Sequence, residues 1–318
     1  MCQFKSGIIL KTRCVVAEGE NDSHSDLLEK LNIEDSSMNA MTKFVRVELL
    51  PPRDEWWTDP DTWQINVDQD ITPDWFDEDQ EKYFIEFRAA VKEWWKEHVL
   101  VDKKIEELTG GYYRLKRCEV KKLLNDVRVM CDSSTVSEMY GSSTVSRMCG
   151  SSTVSEMYGS STVSRMCGSS TVSEMYGSST VSRMYGSSTV SEMCGSSTVS
   201  EMYGSSTVSR MCDSSTVSRM YGSSTVSEMC GSSTVSRMYG SSTVSRMYGS
   251  STVSEMCDSS TVSRMCDSST VSEMYGSSTV SRMYGSSIAR DYANGKIHIS
   301  PETNLKIETH SNPKEDKI

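Results

Sequence analysis

No tryptophan or phenylalanine occurs beyond residue 95 of this 318-residue chain, so the later residues must fold without the two aromatics that carry no phenol, and their large rings are all tyrosine. Nowhere do about 18 apolar residues run together, which excludes a hydrophobic membrane-spanning helix. A charged-then-apolar leader ending at small residues is also missing, so an unexported protein is expected. Basic patches are absent too: the net charge is −11, and −8 of it belongs to residues 1–131. Such an acidic balance argues against holding a phosphate backbone, so neither a nucleic-acid nor a membrane partner is expected. Of the 11 cysteines, seven (Cys149, Cys167, Cys194, Cys212, Cys230, Cys257 and Cys266) sit at one exchangeable repeat position at spacings of 9, 18 or 27 residues. That pattern is neither a disulfide framework nor a zinc knuckle; reduced thiols, no metal and no cofactor are the simplest reading.

What the chain does contain is a nine-residue unit, Gly-Ser-Ser-Thr-Val-Ser-(Glu/Arg)-Met-(Tyr/Cys), repeated 17 times without a gap over residues 132–284, with Asp in place of Gly at Asp132, Asp213, Asp258 and Asp267. A fixed period of this kind is the signature of stacked units that cannot bury a core alone. Valine (Val136, Val145, Val154) and methionine (Met139, Met148, Met157) never vary, which marks them as the core. The seventh position is Glu in 8 copies and Arg in 9, and the ninth is Tyr in 10 and Cys in 7. Sites that accept opposite charges face solvent, so Glu138, Tyr140, Arg147, Cys149, Glu156 and Tyr158 are expected to form outward columns.

The second Ser and Val lie two apart and point inward from a strand, while Thr and the third Ser point outward. Gly, three Ser and two β-branched residues per unit disfavour helix. Nine residues are too few to enclose an interior, so an 18-residue coil of two facing units is expected, roughly 40 Å of array at about 4.8 Å per layer. One pattern pulls the other way. Charges alternate in 13 of 16 adjacent units but in only 6 of 15 next-but-one units, so such a coil stacks like charges near its N-terminal end. Duplication of an 18-residue block accounts for that alternation. Disorder, the bland alternative for a Ser/Gly/Thr-rich tract, does not explain an invariant apolar register.

Residues 1–111 read as an acidic α+β head. Strands are expected at 7–10, 14–17, 44–50 and 63–67, with a short helix at 25–31 behind a Ser23 cap. A longer helix starts from a capping-box-like Asp77/Gln80 pair and carries Phe84, Phe87, Val91, Trp94, Trp95, His98 and Val101 on one face. Residues 112–131 form the junction and N-terminal cap of the solenoid, with Val127 and Met130 in the Val and Met phases. Residues 285–318, where Gly285-Ser-Ser-Ile-Ala-Arg breaks register, form a C-terminal β cap ending in a hairpin of 296–300 and 305–309.

The segments Met1-Cys-Gln-Phe-Lys-Ser-Gly-Ile-Ile-Leu, Lys43-Phe-Val-Arg-Val-Glu-Leu and Val67-Asp-Gln-Asp-Ile-Thr-Pro-Asp-Trp-Phe, followed by a Val-x-x-Met-x-Gly array, resemble uncharacterised proteins of phages, prophages and gut metagenomes. Those join a similar head to a short-period Gly/Val-rich β-repeat array. The resemblance implies a bacterial or phage-encoded protein of the host cytoplasm, with a place in a virion as the alternative, and implies no activity.

Candidate chemistry is sparse. Cys2 would become an N-terminal nucleophile on removal of Met1, as in N-terminal-nucleophile hydrolases or amidotransferases. His24, between Asp22 and Asp26, suits a metal ligand or proton relay, but these residue types are also those of a helix start. Asp68, Asp70, Asp74 and Asp77 lack the Gly and terminal Glu of an EF-hand loop and read as a solvated turn. Trp56 and Trp57, between prolines, suit partner contact or folding back on the head. Flat Thr and Ser rows suggest an ice-binding face, which bulky Glu/Arg and Tyr/Cys columns would spoil. The expected function is therefore a non-enzymatic structural or interaction protein presenting a repetitive surface to a protein partner or to itself. A Cys2-dependent enzyme and a virion or self-assembling component are the alternatives.

Overall fold

The computed structural model describes residues 5–18 and 22–291, together with the strands Lys296–Ile297 and Lys306–Thr309. It divides into two units, Met1–Val101 with Gly111–Lys116, and Asp102–Gly110 with Arg117–Ile318. The first is an α+β head and the second an all-β solenoid.

In the head, β1 (Lys5–Leu10), β2 (Arg13–Val16), β3 (Phe44–Leu50) and β4 (Gln64–Val67) form an antiparallel sheet in the order β2-β1-β3-β4. Both faces are covered, which is why β1 and β3 read as nearly continuous apolar runs. Val45, Val47 and Leu49 alternate onto one face with Ile9, Trp63, Phe76, Phe87 and Val91. Ile8 and Phe44 take the other face with Leu27, Leu28 and Ala40, from α1 (His24–Lys30) and α2 (Ser37–Ala40). Ser23 caps α1, its hydroxyl accepting from the Asp26 N–H, as the sequence implied. Gly7 is required by packing: a Cβ there would lie 2.3 Å from Phe87 Cε2.

Two helix expectations need correction. Asp77 closes a separate turn, α3 (Asp74–Asp77), and its carboxylate accepts from the Thr72 hydroxyl at 2.6 Å. The long helix α4 (Gln80–His98) starts behind Asp79 with no side-chain cap, so no Asp77/Gln80 capping box forms. The helix also stops before Val101, which lies in β5 (Val99–Val101).

The parallel ladder of the solenoid begins earlier than the repeat does, at β6 (Lys104–Thr109). Within the head unit, β5 pairs in parallel with β7 (Tyr112–Lys116). In the solenoid, β8 (Glu119–Leu124) bridges β6 to the repeat strand Thr135–Met139, and β9 (Arg128–Asp132) pairs with Thr144–Cys149. Ile105 pairs with Val120, Val120 with Val136 and Val136 with Val154, so the coils lengthen from 15 to 16 and then 18 residues. Because these first coils are short, Val129 and Cys131, rather than Val127 and Met130, fill the Val and Met columns beneath Val145 and Met148. Val127 takes the inward place of the second Ser, its carbonyl accepting from Thr144 as Ser143 does from Thr162.

From there the 17 nonapeptides, two to each 18-residue coil, make up most of a solenoid of about 11 coils. One sheet holds 12 parallel strands. Every repeat Val and Met is 0% exposed. They lie three residues apart and both point inward, so strict strand alternation is broken once per unit, at Ser-Glu or Ser-Arg. The second Ser is also buried, in column with its copies. Ser152 and Ser287 donate this hydroxyl to the carbonyl three residues back (Cys149, 2.7 Å; Tyr284, 2.9 Å), and Ser134 donates to the carbonyl two back (Asp132, 3.1 Å).

Each turn needs a left-handed residue. The repeat glycines sit at φ 64 to 70, and Asp213, Asp258 and Asp267 occupy the same region at φ 55, 58 and 56. The aspartates have an offsetting contact. Their carboxylates accept the N–H of Gly195, Gly240 and Gly249, one coil below, at 3.0, 2.8 and 2.9 Å, satisfying a backbone donor that a glycine cannot reach.

The C-terminal end also departs from expectation. Register survives Gly285 as far as Ala289, which takes the Val column above Val271 and is fully buried, and shifts just after it, where Asp291 pairs with Met274. Lys296–Ile297 pairs in parallel with Thr279–Val280, and Lys306–Thr309 in parallel with Ile288–Asp291. The two segments lie in different sheets and continue the coil; they are not a hairpin.

Candidate functional site: the outward columns of the solenoid

The solenoid turns a haphazard linear order into ordered columns. In one sheet Glu138, Glu156, Glu174 and Glu192 stack directly on one another. In the other Arg165 stacks on Arg183, with Arg147 one coil earlier in the same column. The first repeat coils therefore carry an acidic line on one sheet and a basic line on the other. Higher up the signs mix: Arg183–Glu201 (3.4 Å), Glu192–Arg210 (3.4 Å), Glu201–Arg219 (3.0 Å), Glu228–Arg246 (3.4 Å) and Arg237–Glu255 (3.1 Å) form ion pairs between coils.

The ninth position supplies what the like-charged column needs. Tyr140 donates its hydroxyl to Glu138 at 2.7 Å, and Tyr158 and Tyr176 donate to Glu156 and Glu174. Each carboxylate thus holds a donor from its own unit, which offsets repulsion along the stack. Those bonds to carboxylates, followed by burial and the carboxylate charge, push the Tyr158 and Tyr176 phenols up to about 12. The rings themselves stack face to face, Tyr140–Tyr158–Tyr176 at 5.1 and 5.3 Å. In the other column Tyr185–Tyr203–Tyr221–Tyr239 stack at 5.1, 5.0 and 5.2 Å.

Thiols continue the first column where the tyrosines stop. Cys194 and Cys212 point their sulfurs at Glu192 Oε1, at 3.7 and 3.9 Å, and these three side chains cluster closely enough to share an ion. Burial first, then Cys212 and Glu192, pushes the Cys194 thiol up to about 12. It is therefore a neutral thiol near pH 7. Every described cysteine is unbridged.

No protein-family model matches the chain, and neither a curated protein nor a solved structure is similar to it. The remaining sequence candidates lie in the head. Trp56 and Trp57 are half-buried and edge-to-face at 5.5 Å. The Trp56 carbonyl accepts from the Trp95 indole at 3.0 Å, and the Lys116 ammonium lies 3.8 Å from the Trp57 ring. The pair is thus tied back onto the head. Cys2 lies outside the described residues.

His24 is 4% exposed, and its expected partners are not its actual ones. Asp22 pairs with Lys5 at 3.1 Å, and Asp26 serves the Ser23 cap. The imidazole instead reaches Val47 and Asp68, beside Glu48, a residue that sequence reasoning did not single out. Lys5 is itself fully buried, with its ammonium 3.8 Å from the Trp94 ring. Burial lowers its pKa to about 8, against the opposing pull of Asp22. Among the described residues no helix is long and apolar enough to cross a membrane.

Proposed function

We propose that this is a structural or interaction protein whose solenoid presents its outward columns, in register from coil to coil, to a macromolecular partner. The observation carrying this reading is the contrast within each unit. Val, Met and the second Ser are invariant and buried, whereas variation falls on the turn position, where Asp replaces Gly in four units, and on the seventh and ninth positions, which reach solvent. Extended faces of this kind are how solenoids commonly bind. The resemblance to phage and metagenome proteins fits a role within a mobile element.

A second reading, self-assembly, is favoured by the opposite charges of the lower coils. The Glu138–Glu192 line of one copy is complementary to the Arg147–Arg183 line of another, and such a heterologous contact repeats without closing. Light scattering on the full chain across a salt series tests it. Mass that falls with salt, and in a variant with Glu138, Glu156, Glu174 and Glu192 changed to Gln, supports self-assembly. A monomer at all salt concentrations rejects it and leaves the separate partner, sought by comparing what the wild type and that variant each retain from host extract. Identical retained sets would remove the columns from the reading altogether. The Cys2 enzyme alternative is tested by hydrolase and amidotransferase assays on Cys2→Ala against the wild type.

A further inference from the structure

Strand pairing gathers three ligand-type side chains on one face of the head sheet. Glu48 lies opposite Asn66 in the β3–β4 ladder, and Asp68, two residues on, continues that pairing with its N–H donating to the Arg46 carbonyl at 2.9 Å. Residues two apart share a face, so Glu48 and Asp68 point the same way. His24, the first residue of α1, joins them from the helix side.

The imidazole is oriented from behind. Nε2 lies 3.0 Å from the Val47 carbonyl oxygen; that oxygen only accepts, so Nε2 carries a hydrogen. In the neutral ring Nδ1 then presents a lone pair, and it lies 3.2 Å from Asp68 Oδ2, another acceptor. Two ligand atoms at that spacing can share one cation. The Glu48 carboxylate, 4% exposed, completes a set whose ligand atoms all lie within 4.8 Å of one another.

Geometry points to the ion. A ring N–H donated to a backbone carbonyl is the usual outer-sphere support of a metal-bound histidine. Asp68 is half-exposed, leaving an open side for water and for entry of the ion.

We propose that His24 Nδ1, Glu48 and Asp68 bind a divalent first-row transition-metal ion, with water completing its coordination. One imidazole and two carboxylates are a mixed nitrogen and oxygen donor set of the kind that zinc and manganese accept with three protein ligands. The site is independent of the scaffold function.

Mn²⁺ is the probe of choice, because the thiol columns of the solenoid are poor ligands for it. Chelator-treated full-length protein is titrated with Mn²⁺ alone, and free ion is followed by electron paramagnetic resonance. One tight site per chain is expected. Glu48→Gln and Asp68→Asn should each weaken it by more than about tenfold, since even outer-sphere changes cost that much, and Glu192→Gln should leave it unchanged. Asp68 is exposed enough that its variant keeps the fold, checked by circular dichroism, so a misfolded Glu48 variant does not blunt the test. Absence of a tight site would overturn the proposal. Unchanged affinity in Asp68→Asn would overturn it equally.

Discussion

The two units of this chain are stabilised by opposite strategies. The head concentrates unlike residues, with Trp63, Phe76, Phe87 and the strand valines interlocking around one sheet, so each side chain has a unique place. The solenoid repeats two apolar residues and a buried serine, and each coil is held mainly by the coils above and below. A unique core fails as a whole, whereas a stacked one fails by the layer. It also follows that the solenoid tolerates changes in length that the head does not.

The comparison is broken most severely by register. Removing residues 204–208, five of a unit's nine, destroys the column alignment and should split or abolish the solenoid's thermal transition. Removing the whole unit 204–212 should leave a cooperative β transition, because both halves of a coil carry the same unit; circular dichroism melts of the two deletions distinguish them. Next comes Phe87→Ala, which empties a fully buried site against Gly7 and should cost the head about 3–5 kcal/mol while leaving the solenoid transition in place.

Alkaline pH should drive the units in opposite directions. Lys5 has its folded pKa lowered to about 8 from 10.5. Between those values the unfolded chain binds the extra proton, so head stability rises with pH across that window. Tyr158 and Tyr176 are raised from 10 to about 12. Their contribution is complete below pH 10 and is lost as pH climbs to about 12, so the solenoid weakens there. Denaturant melts at pH 8, 10 and 12 read both trends, and Lys5→Met should flatten the first. The smallest effect is Glu201→Gln. Glu201 lies between Arg183 and Arg219, and exposed pairs contribute only about 0.2–1 kcal/mol each; the loss should fade at high salt.

Periodicity made the array legible: invariance separated core from surface, and the low rate of opposite charges at next-but-one units foretold the like-charged column. Its ends were illegible by the same logic. The first coils hold 15 and 16 residues, so counting back by nine put Val127 and Met130 where Val129 and Cys131 belong. Across the array's far boundary, Ala289 does the work of a valine, a substitution that pattern-matching reads as a break. In the head, helix periodicity marked α4 but not its first residue, because Thr72 had taken Asp77. The His24 cluster stayed hidden for a topological reason. Its sequence neighbours Asp22 and Asp26 have other partners, and strand register brings in Glu48 and Asp68 from far along the chain.

The stacked tyrosines have an optical consequence. Rings held parallel at 5.0 to 5.2 Å from Tyr185 to Tyr239 are close enough for their excited states to couple, and every tryptophan of the chain lies in the head. Fluorescence excited at the tryptophan red edge therefore reports on the head alone and without a label, while near-ultraviolet circular dichroism carries the coupled signal of the stacked solenoid tyrosines on top of that of the head's own aromatics.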